Sequence, residues 1–477
     1  MDFLIPLYCL CGIVWSIPII RSGHAMHFAV LLLGVGTIFG PAFFAIDGPI
    51  QISVDRLLWA AMIGLVVVQW RLGNLAKVTM TRIDWLLLAI TAYLFVSCQR
   101  GGQPPTGSSP TARWLFYILL PLGTYWVTRV VNLQVTDIRW IKRLLIALGT
   151  YLSITAVFEV TGMHGFVYPR YIVDPQQWIF YGRARGPLMN PIGNGMIMTV
   201  ALVASMLEFM SSGRRGKLGY GILCMLMLFG CYATLTRSVW MGAVAAVGVV
   251  VLVRTPRWVR VLGLSAAMVF GGAMAMGLKD QLMSMKRDKA LSAADAAKSV
   301  ELRPLLAVVA WEMFKAKPIV GHGFGHYFEH NSPFHDNRSY DLPLAEVREY
   351  AQHNTFLMLL VDTGAVGLLA YSVLLLMLFA VAWQLACRRG CNAESNQIGL
   401  LVLAMIAAYV CNAMFHDLVV IPMVQTFLLM LGGTAVTVFA RGFAADLAHV
   451  ATAARGRTPL LPAPGHGMPR ASMNRSC

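Results

Sequence analysis

The chain has 477 residues, of which 57% are hydrophobic and only 13% charged. A soluble domain carries about a quarter charged residues, so this chain cannot cover a water-facing globule with polar groups. Its formal charge of +16 would point to nucleic acid in a soluble protein. Here the basic residues sit in short connections between apolar runs, where they set membrane topology, and no nucleic-acid partner is expected.

The apolar runs are about 17–21 residues long, the length a helix needs to cross the hydrocarbon of a bilayer. Backbone groups in lipid must pair internally, so helices are the default. A transmembrane β-barrel would alternate polar and apolar residues, and the run from Leu400 to Ala408 does not. In chain order the spans are predicted at Phe3–Ile20, Met26–Ala45, Leu57–Trp70, Trp85–Cys98, Trp114–Val131, Ile141–Thr161, Ile192–Met210, Leu218–Leu235, Val239–Val253, Val259–Gly277, Thr355–Leu385, Ile398–Phe415 and Leu418–Ala440. The fold class is therefore all-α, a polytopic transmembrane bundle of about 12–14 spans. The first run lacks a basic leader and a cleavage site and reads as a retained span.

Arg71 to Arg82, Arg129 to Arg143, Arg214 to Lys217, Arg254 to Arg260, and Arg388 with Arg389 form the basic connections. The positive-inside rule makes them cytoplasmic, and they fall at alternate connections as one topology requires. The opposite face then carries Gln99 to Arg113, Gly162 to Asn190, the Thr236–Arg237 turn, Lys279 to Gln352 and the His416–Asp417 turn. Three regions follow: N-terminal spans over 1–180, a core over 181–440 that includes the outer loop 279–352, and a tail over 441–477. The tail is rich in Ala, Pro, Gly and Arg and reads as disordered and cytoplasmic.

Within the outer loop Ser299 can cap a helix, with Glu301 in its first turn and Pro304 near it. Leu302, Leu305, Leu306, Val309 and Met313 recur at helical spacing on one face, and Pro318 stops the helix. An amphipathic helix here should lie on the membrane surface or on the bundle. The nine cysteines lie mostly in apolar runs and show neither a disulfide framework nor zinc spacing. Cys387 and Cys391 flank a basic turn and carry no evident role.

The residues able to carry chemistry gather on the outer face. Arg237 stands between two apolar runs. It could simply snorkel to the interface, or its forked guanidinium could clamp an anion such as phosphate. Arg303 opens the amphipathic helix, where a cation opposes the helix dipole unless an anionic ligand is shared with the helix start. Arg183 and Arg185 in Tyr181 to Pro191 lie on the side where positive-inside disfavours arginine, which raises the case for a ligand role; the alternative is a loop arginine facing water. Gly321-His322-Gly323-Phe324-Gly325-His326-Tyr327 follows no strand, so a dinucleotide loop is rejected. Its glycines let the backbone turn tightly near a ligand or another helix. His322, His326, His330 and His335 invite a zinc reading, but glycines break the helix that would align them, and no metal or other cofactor is expected. His353-Asn354 stands at the mouth of the span beginning at Thr355, and histidine is the side chain suited to accept a proton near neutral pH. Asn354 and Tyr327 join Arg183 and Arg185 as candidate substrate contacts.

Thr236-Arg237-Ser238, the Arg303 helix ending in Lys317-Pro318-Ile319-Val320-Gly321-His322-Gly323, and His353-Asn354-Thr355-Phe356-Leu357 with Gly364 and Gly367 form an ordered series. This series, with Arg185-Gly186 and Asn190-Pro191, resembles the O-antigen ligase and O-antigen polymerase superfamily of bacterial envelope proteins. The resemblance covers about Tyr181 to Tyr371. It implies an integral inner-membrane, inverting, metal-independent glycosyltransferase acting at the periplasmic face. The donor it implies is an undecaprenyl-pyrophosphate-linked glycan, and the acceptor is a lipid A core or a growing glycan, with membrane lipids around both. It also implies that Arg237 and Arg303 bind the pyrophosphate and that His353 activates the acceptor hydroxyl, with Arg183 or Arg185 as a further cation. Ligation is favoured slightly over polymerisation. A polysaccharide or lipid transporter is the third reading, with Glu159 and Asp362 as the ionisable groups it would need.

Overall fold

A computed structural model of the protein describes residues 24–40, 43, 53–100, 109–177, 179–273, 293–337, 339–388 and 393–455. The predicted first span, most of the loop before the amphipathic helix, Cys391 and the end of the tail lie outside the described residues. The remainder is a helical bundle. Its helices are α1 (Ala25–Phe39), α2 (Val54–Arg71), α3 (Arg82–Arg100), a composite α4, α5 (Val135–Thr161), α6 (Pro191–Ser211), α7 (Arg214–Ala233), α8 (Arg237–Arg254), α9 (Arg257–Ala273), α10 (Ala293–Ala316), short α11 (Tyr327–His330) and α12 (Ser332–His335), then α13 (Thr355–Cys387), α14 (Ala393–Ala413) and α15 (Pro422–Arg455). Eight of these helices among the described residues are long and apolar enough to cross a membrane. The protein is a multi-pass, all-α membrane protein.

Twelve of the thirteen predicted spans coincide with a described helix, because apolar runs in lipid have no other way to pair their backbone. α4 is built from Pro110–Trp114, a π-helical turn Leu115–Leu119 and Leu120–Val130. Pro121 has no N–H to give the preceding turn, and a π turn is one way a helix absorbs such a loss. The tail differs from expectation: α15 continues to Arg455 through Arg441, where a disordered tail is predicted. The amphipathic helix also begins earlier than its predicted Ser299 cap, at Ala293, so that Pro304 lies in its interior. Four alanines between residues 293 and 297 favour helix strongly enough to carry it upstream.

Two ends of the bundle can be told apart. At the basic end, arginines are anchored by acids of neighbouring helices. Arg129 forks onto buried Asp84 (Nε to Oδ1 3.0 Å, Nη2 to Oδ2 2.8 Å), and Tyr125 donates to the same carboxylate at 2.6 Å. Lys142 joins Glu208 and Glu394, both at 2.7 Å, which ties α5, α6 and α14 together. The other end carries the loops 162–190 and 318–353 and the turn 414–421. The starts of α6, α8, α13 and α15 all open onto this loop end, so their positive dipole ends converge there.

Candidate functional site

The loop end is organised around a broken helix. α13 loses helical geometry at Gly364 (φ 65°, ψ −167°), and the glycine-rich segment after α10 fills the break. Ala365 and Val366 N–H donate to the carbonyls of Pro318 (2.9 Å) and Ile319 (3.2 Å), while His322 and Gly323 N–H donate to Val361 (3.0 Å) and Asp362 (2.9 Å) carbonyls. Gly325 N–H donates to Asp362 Oδ2 at 2.9 Å. The segment thus satisfies the backbone groups freed by the break, which lipid could not do. Gly321, Gly323 and Gly325 all have positive φ, and a Cβ on Gly321 would lie 2.5 Å from the Asp362 carbonyl. The glycines serve close approach to another helix, the second of the two uses expected of them.

This docking settles where the amphipathic helix lies. Leu302, Leu306, Val309, Ala310 and Met313 of α10 bury themselves against Tyr327, Leu344, Val347 and Val361. The helix packs on the bundle through its predicted face. Tyr327 is part of this packing, with its ring 5% exposed, and burial pushes its hydroxyl up to about 12.

Arg303, near the start of this packed face, extends over the Phe415 ring, with its guanidinium carbon 5.5 Å from the centroid. Phe415 belongs to the turn between α14 and α15. The same turn is fixed to the start of α13: Asn354 Nδ2 donates to Met414 O at 2.9 Å, Thr355 Oγ1 to His416 O at 2.9 Å, and Leu418 N–H to Thr355 Oγ1 at 2.8 Å. Asn354 Oδ1 caps α13 by accepting from Phe356 and Leu357 N–H at 2.9 and 3.1 Å. Asn354 thereby ties the start of α13 to the Phe415 turn, a positioning job at the position expected to touch substrate.

His353 immediately precedes this cap and is in the left-handed region, φ 48°, a conformation histidine tolerates better than most residues. The residue is exposed at its edge, while protein crowds the space around its ring. Burial first, and then the charge of Arg303, lower its pKa below the ordinary histidine value. The ring is therefore neutral near pH 7 and able to accept a proton, with a positive charge close by.

Arg237 reaches the same end by a separate route. It is the first residue of α8, after Leu235 with φ 48°. α8 and α14 run antiparallel, and a Cβ on Gly242 would touch Asn412 Nδ2 at 2.7 Å. α8 therefore begins, and α14 ends, at the same end of the bundle, which carries both Arg237 and the Phe415 turn. The end of α7, three residues before Thr236, is joined to the loop of Arg183, because Ala184 N–H donates to Ala233 O at 3.0 Å. Arg183 lies over the Phe180 ring at 5.4 Å.

Arg185 is placed differently. It is 1% exposed and its guanidinium donates to the carbonyls of Ile172 (2.9 Å), Ile179 (2.8 Å), Asp174 (3.1 Å) and Gln177. Its backbone N–H and that of Gly186 donate to Glu159, each at 3.1 Å. Arg185 is the internal scaffold of the 170–186 loop. Three of the four loop histidines are likewise occupied by backbone: His322 with Met313 O, His326 with Cys98 O and His335 with Leu344 O, each at 2.9 Å. His330 lies between His322 and His326, with ring centroids 5.5 and 6.4 Å away.

Sequence reasoning passed over Arg113 and Asp417. Arg113 Nη1 donates to Gly325 O at 2.8 Å. Asp417 sits in the Phe415 turn, where burial raises its pKa to about 6. The available signal for Asp417 was an acid in a very short turn between two apolar runs.

Residues 222–372 match the O-antigen ligase family. The matched stretch runs from within α7 to just past the break in α13, and contains Arg237, Arg303, the glycine-rich segment and His353. The match supports membership of the O-antigen ligase and polymerase superfamily. No match to a curated protein was found.

Proposed function

We propose that the loop end is the active site of an inverting, metal-independent glycosyltransferase of the bacterial inner membrane, facing the periplasm. Its donor is an undecaprenyl-pyrophosphate-linked glycan, and its acceptor is a hydroxyl of a lipid A core or of a growing glycan. The observation that carries this reading is geometric: the Phe415 turn lies under the Arg303 guanidinium and is bonded to Asn354 and Thr355, so Arg303 and the exposed His353 share the mouth of α13. His353 takes the proton of the acceptor hydroxyl as its oxygen attacks the anomeric carbon. The bond from that carbon to the phosphate oxygen breaks, and the pyrophosphate leaves with the electron pair. Arg303 and Arg237 stabilise the charge as it develops, helped by the positive starts of α8 and α13. Arg183, on the adjoining loop, adds a third cation, and Arg185 and Asn354 hold the surrounding backbone in place. Residues 181–440 form the working core under this reading, with 1–180 as supporting spans.

Two features favour transfer over transport. Glu159 and Asp362, the ionisable groups a transporter would need, accept hydrogen bonds from loop N–H groups. The cations collect at one end of the bundle rather than at mid-membrane, where coupling sites are found.

Glycolipid analysis of cells with and without the gene tests the function and separates its two versions. Long chains stranded on the undecaprenyl carrier after loss identify ligation, the version favoured slightly here. Single repeat units alone identify polymerisation. Unchanged pools would overturn the transfer reading and return transport to first place.

A further inference from the structure

At the basic end, on the opposite side of the bundle from His353, His24, His27 and Asp137 bring three ligand-type atoms within 4.8 Å of one another. His24 precedes α1, His27 lies in its first turn, and Asp137 is in the first turn of α5. His24 Nδ1 is 3.8 Å and His27 Nε2 3.7 Å from the same oxygen, Asp137 Oδ1. Both separations exceed a hydrogen bond, which ends at about 3.2 Å for N–H···O. They approach the edge of a tetrahedron with metal–ligand bonds of about 2.0–2.1 Å, which is about 3.3–3.4 Å. His24 Nδ1 is buried and has no hydrogen-bond partner among the described residues.

The rest of the cluster is built to hold this arrangement. Asp137 is buried, and its second oxygen accepts from Gln134 N–H at 2.7 Å in the capping box of α5. That bond fixes the carboxylate and leaves Oδ1 facing the two imidazoles, as the outer hydrogen bonds of a metal-ligating acid do. Trp140, one turn along α5, meets the His27 ring edge-on at 6.4 Å.

We propose that His24, His27 and Asp137 bind a divalent transition metal of the zinc class, which fastens the start of α1 to the start of α5. Two imidazoles and one carboxylate suit zinc, with water completing the set. The ion neutralises the buried carboxylate and takes no part in glycan transfer, since it lies at the other end of α5 from the loop carrying Arg183.

The test is a titration of the detergent-purified, chelator-treated full chain with Co²⁺, followed by its visible absorption, and with Zn²⁺, followed by thermal melting. Wild type should take up one Co²⁺ per chain with the intense bands of a four-coordinate ion, and Zn²⁺ should raise its melting temperature. His27→Ala and His24→Gln should each weaken binding at least about tenfold, and lose the Zn²⁺ shift, while eluting as folded protein on size exclusion. His27→Ala should itself be tolerated, as alanine favours helix more than histidine. No four-coordinate cobalt spectrum in wild type, or equal affinity in wild type and both variants, would overturn the proposal.

Discussion

Gly364 of α13 lies so close to Ile319 that a Cβ on the glycine would stand 2.3 Å from the Ile319 carbonyl oxygen. Its φ of +65° also lies where other residues are strained. The break in α13 and the segment 318–325 are therefore one structure, and the break lies beside the place where α10 packs on α13 through Val361. Gly364→Ala should destabilise the fold by about 1–3 kcal/mol through strain and overlap. Thermal melting in detergent checks this, and an unchanged midpoint would contradict it.

Arg185 makes a different kind of prediction. Its planar fork reaches several carbonyls at once, which one ammonium cannot do. Arg185→Lys should cost about 2–3 kcal/mol of stability and open the 170–186 loop to proteolysis, while the folded fraction keeps its donor affinity. Loss of donor affinity with unaltered melting and proteolysis would instead make Arg185 a direct substrate contact.

Arg237 and Arg303 should show the opposite signature. Arg237→Ala and Arg303→Ala each remove a charge-assisted contact worth about 1.5–3 kcal/mol, or roughly 10–100-fold in donor affinity. Binding of an undecaprenyl-pyrophosphate glycan to the purified variants measures this. Wild-type affinity in both would remove the pyrophosphate clamp.

The pH dependence follows from the Arg303–His353 pair. Protonated His353 cannot accept the acceptor's proton, so transfer should fall as pH drops through its pKa, which lies below the ordinary 6.5. Arg303 contributes to that lowering, so removing its charge raises the pKa. In Arg303→Gln, assayed at saturating donor, the fall should move to higher pH. A fall at unchanged or lower pH would show that Arg303 does not act on His353.

The bundle was legible because its determinants are local. An apolar run bounded by arginine, such as Val239–Val253 within Arg237–Arg254, reports a span without reference to any other segment. The face of α10 was legible for the same reason, as five residues at helical spacing. What the sequence withheld depends on distant partners. Arg183 and Arg185 look alike in sequence, but only Arg185 is enclosed by carbonyls brought in from residues 172–179. Asp362 and Glu159 look like buried charges in spans, yet each is an acceptor for the backbone of a loop remote in sequence. His24, His27 and Asp137 meet only because α1 packs on α5. The helix start at Ala293 was misjudged because the capping signal at Ser299 competes with an alanine-rich stretch before it.

The most direct test of the central claim is transfer from a defined undecaprenyl-pyrophosphate glycan to an acceptor by the purified protein in liposomes, comparing wild type with His353→Ala. The account predicts that His353→Ala inserts, melts and binds donor like wild type, and that its transfer rate falls by about 10²–10⁴-fold, the contribution of a positioned general base. Wild-type transfer by a folded His353→Ala protein would contradict it.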